Sequence, residues 1–444
     1  MASTALRLRI GGLAAAFLAG GAALALAAPA FAAVGLTTVI TDPFTNSTSQ
    51  HATAVEPDTF SFGGTLVTAS QTGRFFDGGS SDIGFATLNA SGTVLMSGSL
   101  PGITKFAGGT FDRVSDPSVA FDARHGVWMI SSIPITELAG GGTNVPEVLV
   151  NRSTDGGLTW NNVVTVANAN GGDLDKNWTA CDNNTGSPFY GHCYTEFDDN
   201  AQGDLILMST SSDGGLTWSA PLATANRATG LGGQPVVQPN GTVVVPAANA
   251  NETSIIAFTS TNGGASWSST TTVAAVRDHT EAGNLRSGPL PSAEIDGAGK
   301  VYVAWGDCRF RRGCRSNDIV YSTSTNGTSW SAAQRVPIDA TTSGVDHFIP
   351  GIAVDPGTSG ATARTAWCGR VCGHSSALGP HRCPQGVHGR VDERAGPAPV
   401  VNGPVFLQVS ARLGRQNGRY GGRLPDGVGP RVMTLTSNAE RRRR

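Results

Sequence analysis

Four versions of one octet punctuate the middle of this 444-residue chain: STDGGLTW from 153, SSDGGLTW from 211, STNGGASW from 260 and a shortened STNGTSW from 324. A second element precedes each of them. EPDTFSFGGTLVTAS, DPSVAFDARHGVWMIS, KNWTACDNN, GQPVVQPNGTVVVP, LPSAEIDGAGKVYVAW and IPGIAVDPGTSGATA begin near 56, 116, 176, 233, 290 and 349, which sets a unit between fifty-five and sixty-two residues long. Each unit reads as strand, Gly/Asn/Asp turn, strand, loop, a third strand such as EVLVNRS or DIVYSTS, the octet, and a fourth short strand. That is one four-stranded blade of a β-propeller, and six elements predict an all-β, six-bladed ring. Composition agrees, because 59 glycines and only 14% charged residues suit short strands and many tight turns.

Within the octet, Asp155 or Asp213 can accept N–H bonds from its own turn, glycine supplies positive φ, and Ser or Thr hydroxyls cap neighbouring amides. Asn262 and Asn326 can make the same local bonds. Trp160, Trp218, Trp267 and Trp330 then leave the turn and are expected to bury their rings between blades. The octet is therefore predicted to be a structural joint between outer strands rather than the chemistry.

These octets resemble the Asp-box, S-x-D-x-G-x-x-W, of the sialidase and BNR-repeat superfamily, with TLNASGTV at 87 as a decayed fifth copy. The resemblance spans about residues 55 to 360. It implies a ligand site around the central channel on the face opposite the Asp-boxes. It does not by itself imply sialidase activity, since the repeat also serves other glycosidases and non-catalytic propellers.

The ends of the chain differ from its body. Arg7 and Arg9 precede a small-residue apolar run ending in Ala-Phe-Ala, which reads as a secretory signal over 1–32, followed by a linker over 33–55 and the sialidase-like propeller over 56–363. No later stretch is apolar enough to span a bilayer, so an exported, secreted protein with no membrane span in the mature chain is expected. Residues 1–363 carry 17 Lys+Arg against 29 Asp+Glu, an acidic body that argues against nucleic acid as partner. Residues 364–444 carry 14 arginines, no lysine and 4 acids, and the blade pattern stops in mid-strand near Ala363. A frameshift in a GC-rich gene accounts for this: GVHGRVDERAG read one base later can yield ASTAGWTSG, a worn Asp-box. On that reading the sixth blade is incomplete or disrupted; a natural basic extension is the alternative. Export permits disulfides, and Cys181 with Cys193 and Cys308 with Cys314 could each staple a loop. Neither pair has the partners of a zinc site, so no metal and no cofactor is expected.

Sialidase chemistry uses a carboxylic acid, a tyrosine nucleophile prepared by a glutamate, and arginines for the substrate carboxylate. By resemblance, TLVTASQTGRFFDGGSSDIGFAT offers Arg74 for substrate and Asp77 as the acid, with Asp82 as the alternative; a surface Arg–Asp pair is the plainer reading. HCYTEFDD places Tyr194 and Glu196 two apart on one strand face, as nucleophile and base or as structural neighbours of Cys193. Arg286 and Arg309 are candidates for carboxylate binding, or solvated loop charges. Asp116, Asp175 with Lys176, and Asp346 with His347 stand just before inner strands and would ring the channel with mainly acidic groups. Where sialidases open blade one with an arginine in R-I-P, this chain has Val55, Glu56 and Pro57. A carboxylate there would repel an anionic sugar. The expected function is exo-acting hydrolysis of terminal sugars by a monomer, with a glycan or glycoconjugate as partner; the alternative is a non-catalytic propeller that binds glycan or protein.

Overall fold

The computed structural model describes residues 37–161, 163–281 and 287–354, together with the backbone of strands Ala363–Cys368, Gly389–Val391, Leu407–Ser410 and Thr434–Ser437. It is all-β, with two 3-10 turns as the helical content of the described residues. Antiparallel meanders follow one another along the chain. Ala54–Phe62, Thr65–Arg74, Ser80–Asn89 and Val94–Ser99 form the first. Arg113–Asp122, Val127–Glu137, Glu147–Ser153 and Val164–Asn168 form the second, bridged to the first at Ser80 and Val114. The third runs from Leu174–Cys181 to Leu222–Ala223, the fourth from Val236–Val237 to Thr271–Ala275, and the fifth from Ser292–Ile295 to Gln334–Arg335. Phe348–Val354, Ala363–Cys368 and Gly389–Val391 make a sixth sheet, so strand pairing continues past Ala363. Thr37–Thr38 pairs with Thr434–Ser437, which pairs with Leu407–Ser410. The leader expected over 1–32 and most of the tail over 364–444 lie outside the described residues.

The first strands of consecutive sheets lie side by side, from the first sheet to the second, third, fourth, fifth and sixth. Apolar residues from facing sheets fill the space between them. Val67, Ile83 and Phe85 of the first sheet meet Trp128, Ile130, Leu149 and Trp160 of the second. Tyr194, Ile206 and Met208 of the third meet Val243, Val245, Phe258 and Trp267 of the fourth.

The octets form the turns between third and fourth strands, and their bonds are those expected. Asp155 Oδ1 accepts from Leu158 N at 3.1 Å and Thr159 N at 2.9 Å, and its Oδ2 from Thr159 Oγ1 at 2.6 Å. Asp213 repeats the pattern with Leu216 and Thr217. Asn262 and Asn326 accept from Ser266 N and Ser329 N. Trp160 and Trp267 are buried against Phe85 and Phe258, with ring centroids 5.5 and 5.7 Å away, while Trp218 and Trp330 are half-buried between sheets.

The octet also joins sheet to sheet, which its local bonds alone do not reveal. One glycine of each turn, the second in the three full octets and the single one in the shortened copy, presses on the preceding sheet: Gly157 on Thr87, Gly215 on Met129, Gly264 on Thr210, Gly327 on Val244. At Gly264, with φ +85°, an added Cβ would fall 2.2 Å from Thr210 Oγ1. Gly264→Ala is therefore expected to cost ~2–4 kcal/mol through a strained backbone and an overfilled joint. Thermal unfolding checks this, and an unchanged melting temperature would show that the turn can shift without penalty.

Candidate functional site

At the opposite end of the strands from the octets, a cleft of about 200 Å³ opens where the first strands begin. Glu56, Pro57, Asp116, Pro117, Lys176, Asn177, Trp178, Gly232, Gly233, Gln234, Leu290 and Pro291 line it. The same local device presents most of them. Pairing slips between Val55 and Asp58, between Ser115 and Ser118, and between Asp175 and Trp178. At these bulges Glu56, Asp116 and Lys176 take φ of 50°, 50° and 58°, and Gly232 takes 67° at the corresponding place in the fourth sheet. Left-handed backbone is costly for a non-glycine residue, and bulges re-aim side chains, so three strained positions converge on one cleft.

Charge in the cleft is mainly negative. Lys176 Nζ lies 3.5 Å from Asp116 Oδ2 and 3.4 Å from Asp175 Oδ2, so one ammonium sits between two carboxylates. Burial raises the Asp175 carboxyl above its usual range, against the opposing pull of Lys176. Two residues deeper along the first strand, burial pushes Asp58 up to about 7 although it accepts from Val119 N at 2.7 Å, and burial pushes Glu294 up to about 8. Asp198, cross-strand partner of Asp175, is pushed up to about 9, first by burial and then by the Asp175 charge. The ring of acidic groups expected from Asp116, Asp175 and Lys176 is thus assembled here. Asp346 and His347 do not line the cleft; Asp346 pairs with His279 at 3.0 Å.

The other anticipated residues divide. Arg74 stands beside the cleft, 3.8 Å from Glu56, and donates to Gln71 Oε1 at 2.7 Å. Glu196 is fully buried, directly across from Trp178, with its carboxyl pressed against the Gly233 wall so closely that a Cβ there would lie 2.5 Å from Glu196 Cδ. Burial holds that carboxyl well above the ordinary range, and neither oxygen has a hydrogen-bond partner that meets ordinary geometry. Tyr194 shares its strand face but packs in the apolar core, edge-on to Trp267 at 6.1 Å, and does not line the cleft.

Asp77 is 71% exposed and bound by Arg113, whose Nη1 is 2.5 Å away and which also holds Glu137 at 2.8 Å. The Arg113 hydrogen bond keeps the Asp77 carboxyl below its usual range, the opposite of a resting proton donor. Asp82, its alternative, is buried and raised by desolvation, with neither oxygen partnered and no place in the cleft lining. Arg309 grips Asp307 with Nε and Nη2 at 2.9 and 2.7 Å and also donates to the Ala275 carbonyl. Arg286 lies outside the described residues. Among the described residues no arginine lines the cleft. The sequence reading passed over Asn177, Trp178, Gly233 and Gln234; their positions right after the bulge, matching Pro57 and Pro117 in the repeat, were the available signal. Both expected disulfides, Cys181–Cys193 and Cys308–Cys314, are formed.

Successive antiparallel sheets joined by Asp-box turns, with a polar cleft at the far ends of their first strands, define a BNR-type repeat protein. Residues 138–350 match the BNR repeat-like domain. Among solved structures it is similar to Trypanosoma rangeli sialidase in complex with sialic acid (12% identity, TM-score 0.50, covering 81% of this chain and 58% of that one). It also matches a protein of unknown function from Dyadobacter fermentans DSM 18053 (16%, TM-score 0.47, 80% and 98%) and the Hadza microbial sialidase Hz136 (15%, TM-score 0.46, 68% and 60%). The chain thus spans only 58–60% of the length of the two sialidases. At these identities the likeness is one of fold. No curated protein matches the sequence.

Proposed function

We propose that the protein is a secreted six-bladed propeller that hydrolyses the terminal sugars of glycans in the cleft of Glu56, Asp116, Lys176 and Trp178. The observation that carries this reading is the pair Asp116 and Asp175 flanking one ammonium. Contacts of 3.5 and 3.4 Å to the same nitrogen keep the two bound oxygens no more than about 7 Å apart, compatible with the separations at which glycosidase carboxylate pairs act. Asp175, raised by burial, is the proton donor to the leaving oxygen; Asp116 is the carboxylate that stabilises the sugar cation or activates water. A volume of about 200 Å³, below the ~300–1,000 Å³ of drug-sized sites, suits a single sugar ring. Trp178 offers that ring an apolar face.

Asp77 and Tyr194 take no part in this assignment, one neutralised by Arg113 and the other a core residue. Glu196 serves it as the buried carboxyl behind Gly233, and Arg74 by steadying Glu56. A second reading, a glycan-binding propeller without turnover, is favoured by the seclusion of Tyr194 in the apolar core, away from the cleft.

The test is release of fluorophore from a panel of aryl glycosides. Turnover of an uncharged glycoside, reduced about 10²–10⁴-fold in Asp175→Asn, is the expected result. Glycan binding with no turnover of any panel member would support the second reading instead.

A further inference from the structure

We propose that the loop closed by Cys308 and Cys314, with Arg277 at its base, anchors an acidic polysaccharide, a sugar chain bearing repeated carboxylates or sulfates. The anchor lies outside the cleft and acts whether the cleft cleaves its ligand or only binds it.

The loop stands at the cleft's end of the strands. Leu290 and Pro291 line the cleft just before Ser292–Ile295, which pairs antiparallel with Val301–Asp307, so the second strand of the fifth sheet ends where the first begins. CRFRRGCR follows from 308, and its four arginines are four of the 17 Lys+Arg in residues 1–363, a segment that is otherwise acidic. A concentrated positive spot on such a body draws an anionic partner to one place.

These arginines divide into inward and outward sets. Arg311 is buried among Asp318, Asp339 and the carbonyls of Ala340 and Ser343, and Arg309 is spent on Asp307 and the Ala275 carbonyl. Arg312 and Arg315 are exposed, and Arg315 Nε donates to the Arg312 carbonyl at 3.1 Å, which holds the two in one turn. Arg277 is exposed beside them, its carbonyl accepting from Cys308 N at 2.7 Å. Among the described residues, none of these three guanidiniums pairs with a carboxylate. Asp278, the exposed acid next to Arg277, has its Oδ1 engaged by Asn317 Nδ2 at 2.9 Å. Three outward cations therefore face solvent against one acid that is already hydrogen-bonded.

The inward set and the disulfide make the outward set rigid. Arg311 pins the middle of the loop and the cystine closes its ends, so little freedom remains to be lost when a ligand arrives. Planar guanidinium forks suit oxyanions that accept two hydrogen bonds at once. Phe310, in the same loop and 38% exposed, adds an apolar face of the kind a sugar ring covers between its charged groups. One phenyl ring is too little apolar area to seat the loop in a bilayer, which favours a saccharide over an anionic lipid surface.

The experiment is calorimetric titration of the full chain with heparin and polygalacturonate oligomers, against neutral dextran, duplex DNA and phosphatidylserine-containing vesicles. At least one acidic oligomer should bind and should slow amide exchange over 309–315; polygalacturonate alone would assign the charge as carboxylate, heparin alone as sulfate. The triple variant Arg277→Gln/Arg312→Gln/Arg315→Gln, verified by an unchanged melting temperature, should bind about 10–100-fold more weakly, the loss expected for charge-assisted hydrogen bonds. Residues 364–444 carry 14 arginines of their own, so the difference between parent and variant is the readout. Equal affinity of the two, or no protection of 309–315, overturns the inference and leaves any polyanion binding to the tail. Dextran, DNA or vesicles held as tightly through the same three arginines overturn it too. Cleft activity is scored separately on aryl glycosides, so a cleft that turns over nothing leaves the anchor standing.

Discussion

Arg311→Met should destabilise the protein by ~3–5 kcal/mol, the usual cost of removing one partner from a buried ion network. The Arg311 side chain has no exposure and bonds to Asp318 and, at 2.5 Å, to Asp339; its Nη1 donates to the carbonyls of Ala340 and Ser343 at 2.6 and 3.1 Å. Asp318 is equally buried, and Arg335 Nε lies 2.8 Å from it. Loss of the guanidinium leaves two carboxylates sharing Arg335 and takes a donor from two loop carbonyls. Arg311 sits inside the loop closed by Cys308 and Cys314, so this network also pins that loop to the segment around Asp339. Adding Asp318→Asn should recover part of the loss, because the uncompensated charge disappears. Urea unfolding monitored by tryptophan fluorescence measures both. A single-variant cost below about 1 kcal/mol, the level of an exposed pair, would mean that the network is solvated in practice.

The second large effect is on pH. Asp58, Glu294 and Asp198 are pushed up to about 7, 8 and 9, and Glu196 and Asp82 are raised as well, burial being the main cause in each. A carboxyl whose folded pKa lies above its unfolded value adds stability that is complete below the unfolded value near 4. That contribution is lost as pH rises through the folded pKa. Asp155, held down to about 2 chiefly by Thr159, and Asp77, held down by Arg113, work the other way: their contribution is present above about pH 4 and lost as pH falls through their folded values. The melting temperature should therefore peak in mildly acid solution, at about pH 4–5, and decline steadily toward pH 9. Glu294→Gln keeps the shape and removes one titration near pH 8, so it should flatten the alkaline decline. A profile that is flat from pH 5 to 9, or highest at pH 8, would show that these carboxyls are hydrated and ionised in the folded chain.

What the sequence disclosed and what it withheld follow the range of the interactions. The octets were legible because every bond of Asp155 and Asp213 closes within four residues. The disulfides were legible for the same reason, joining cysteines 12 and 6 residues apart. The octet resemblance led to the BNR repeat that residues 138–350 match, and the repeat spacing placed Asp116, Asp175 and Lys176 at strand starts. Hidden were the partners that only packing supplies. Arg113 stands 36 residues from Asp77 and converts an apparent acid into half of an ion pair. The seclusion of Tyr194 and Glu196 depends on the fourth sheet closing over the third, which no alternation within HCYTEFDD reveals.

The bulges at Glu56, Asp116 and Lys176 separate two jobs that protein surfaces usually entangle. An acid, a shorter acid and a base adopt nearly the same left-handed backbone, and Gly232 shows that even no side chain will do. The strain is met by the strand pairing on either side, so the scaffold is indifferent to what the position carries. Each of the first four sheets therefore brings one interchangeable socket to a common rim. Single substitutions at those sockets can thus change what the rim presents to a ligand without disturbing the strands that carry it.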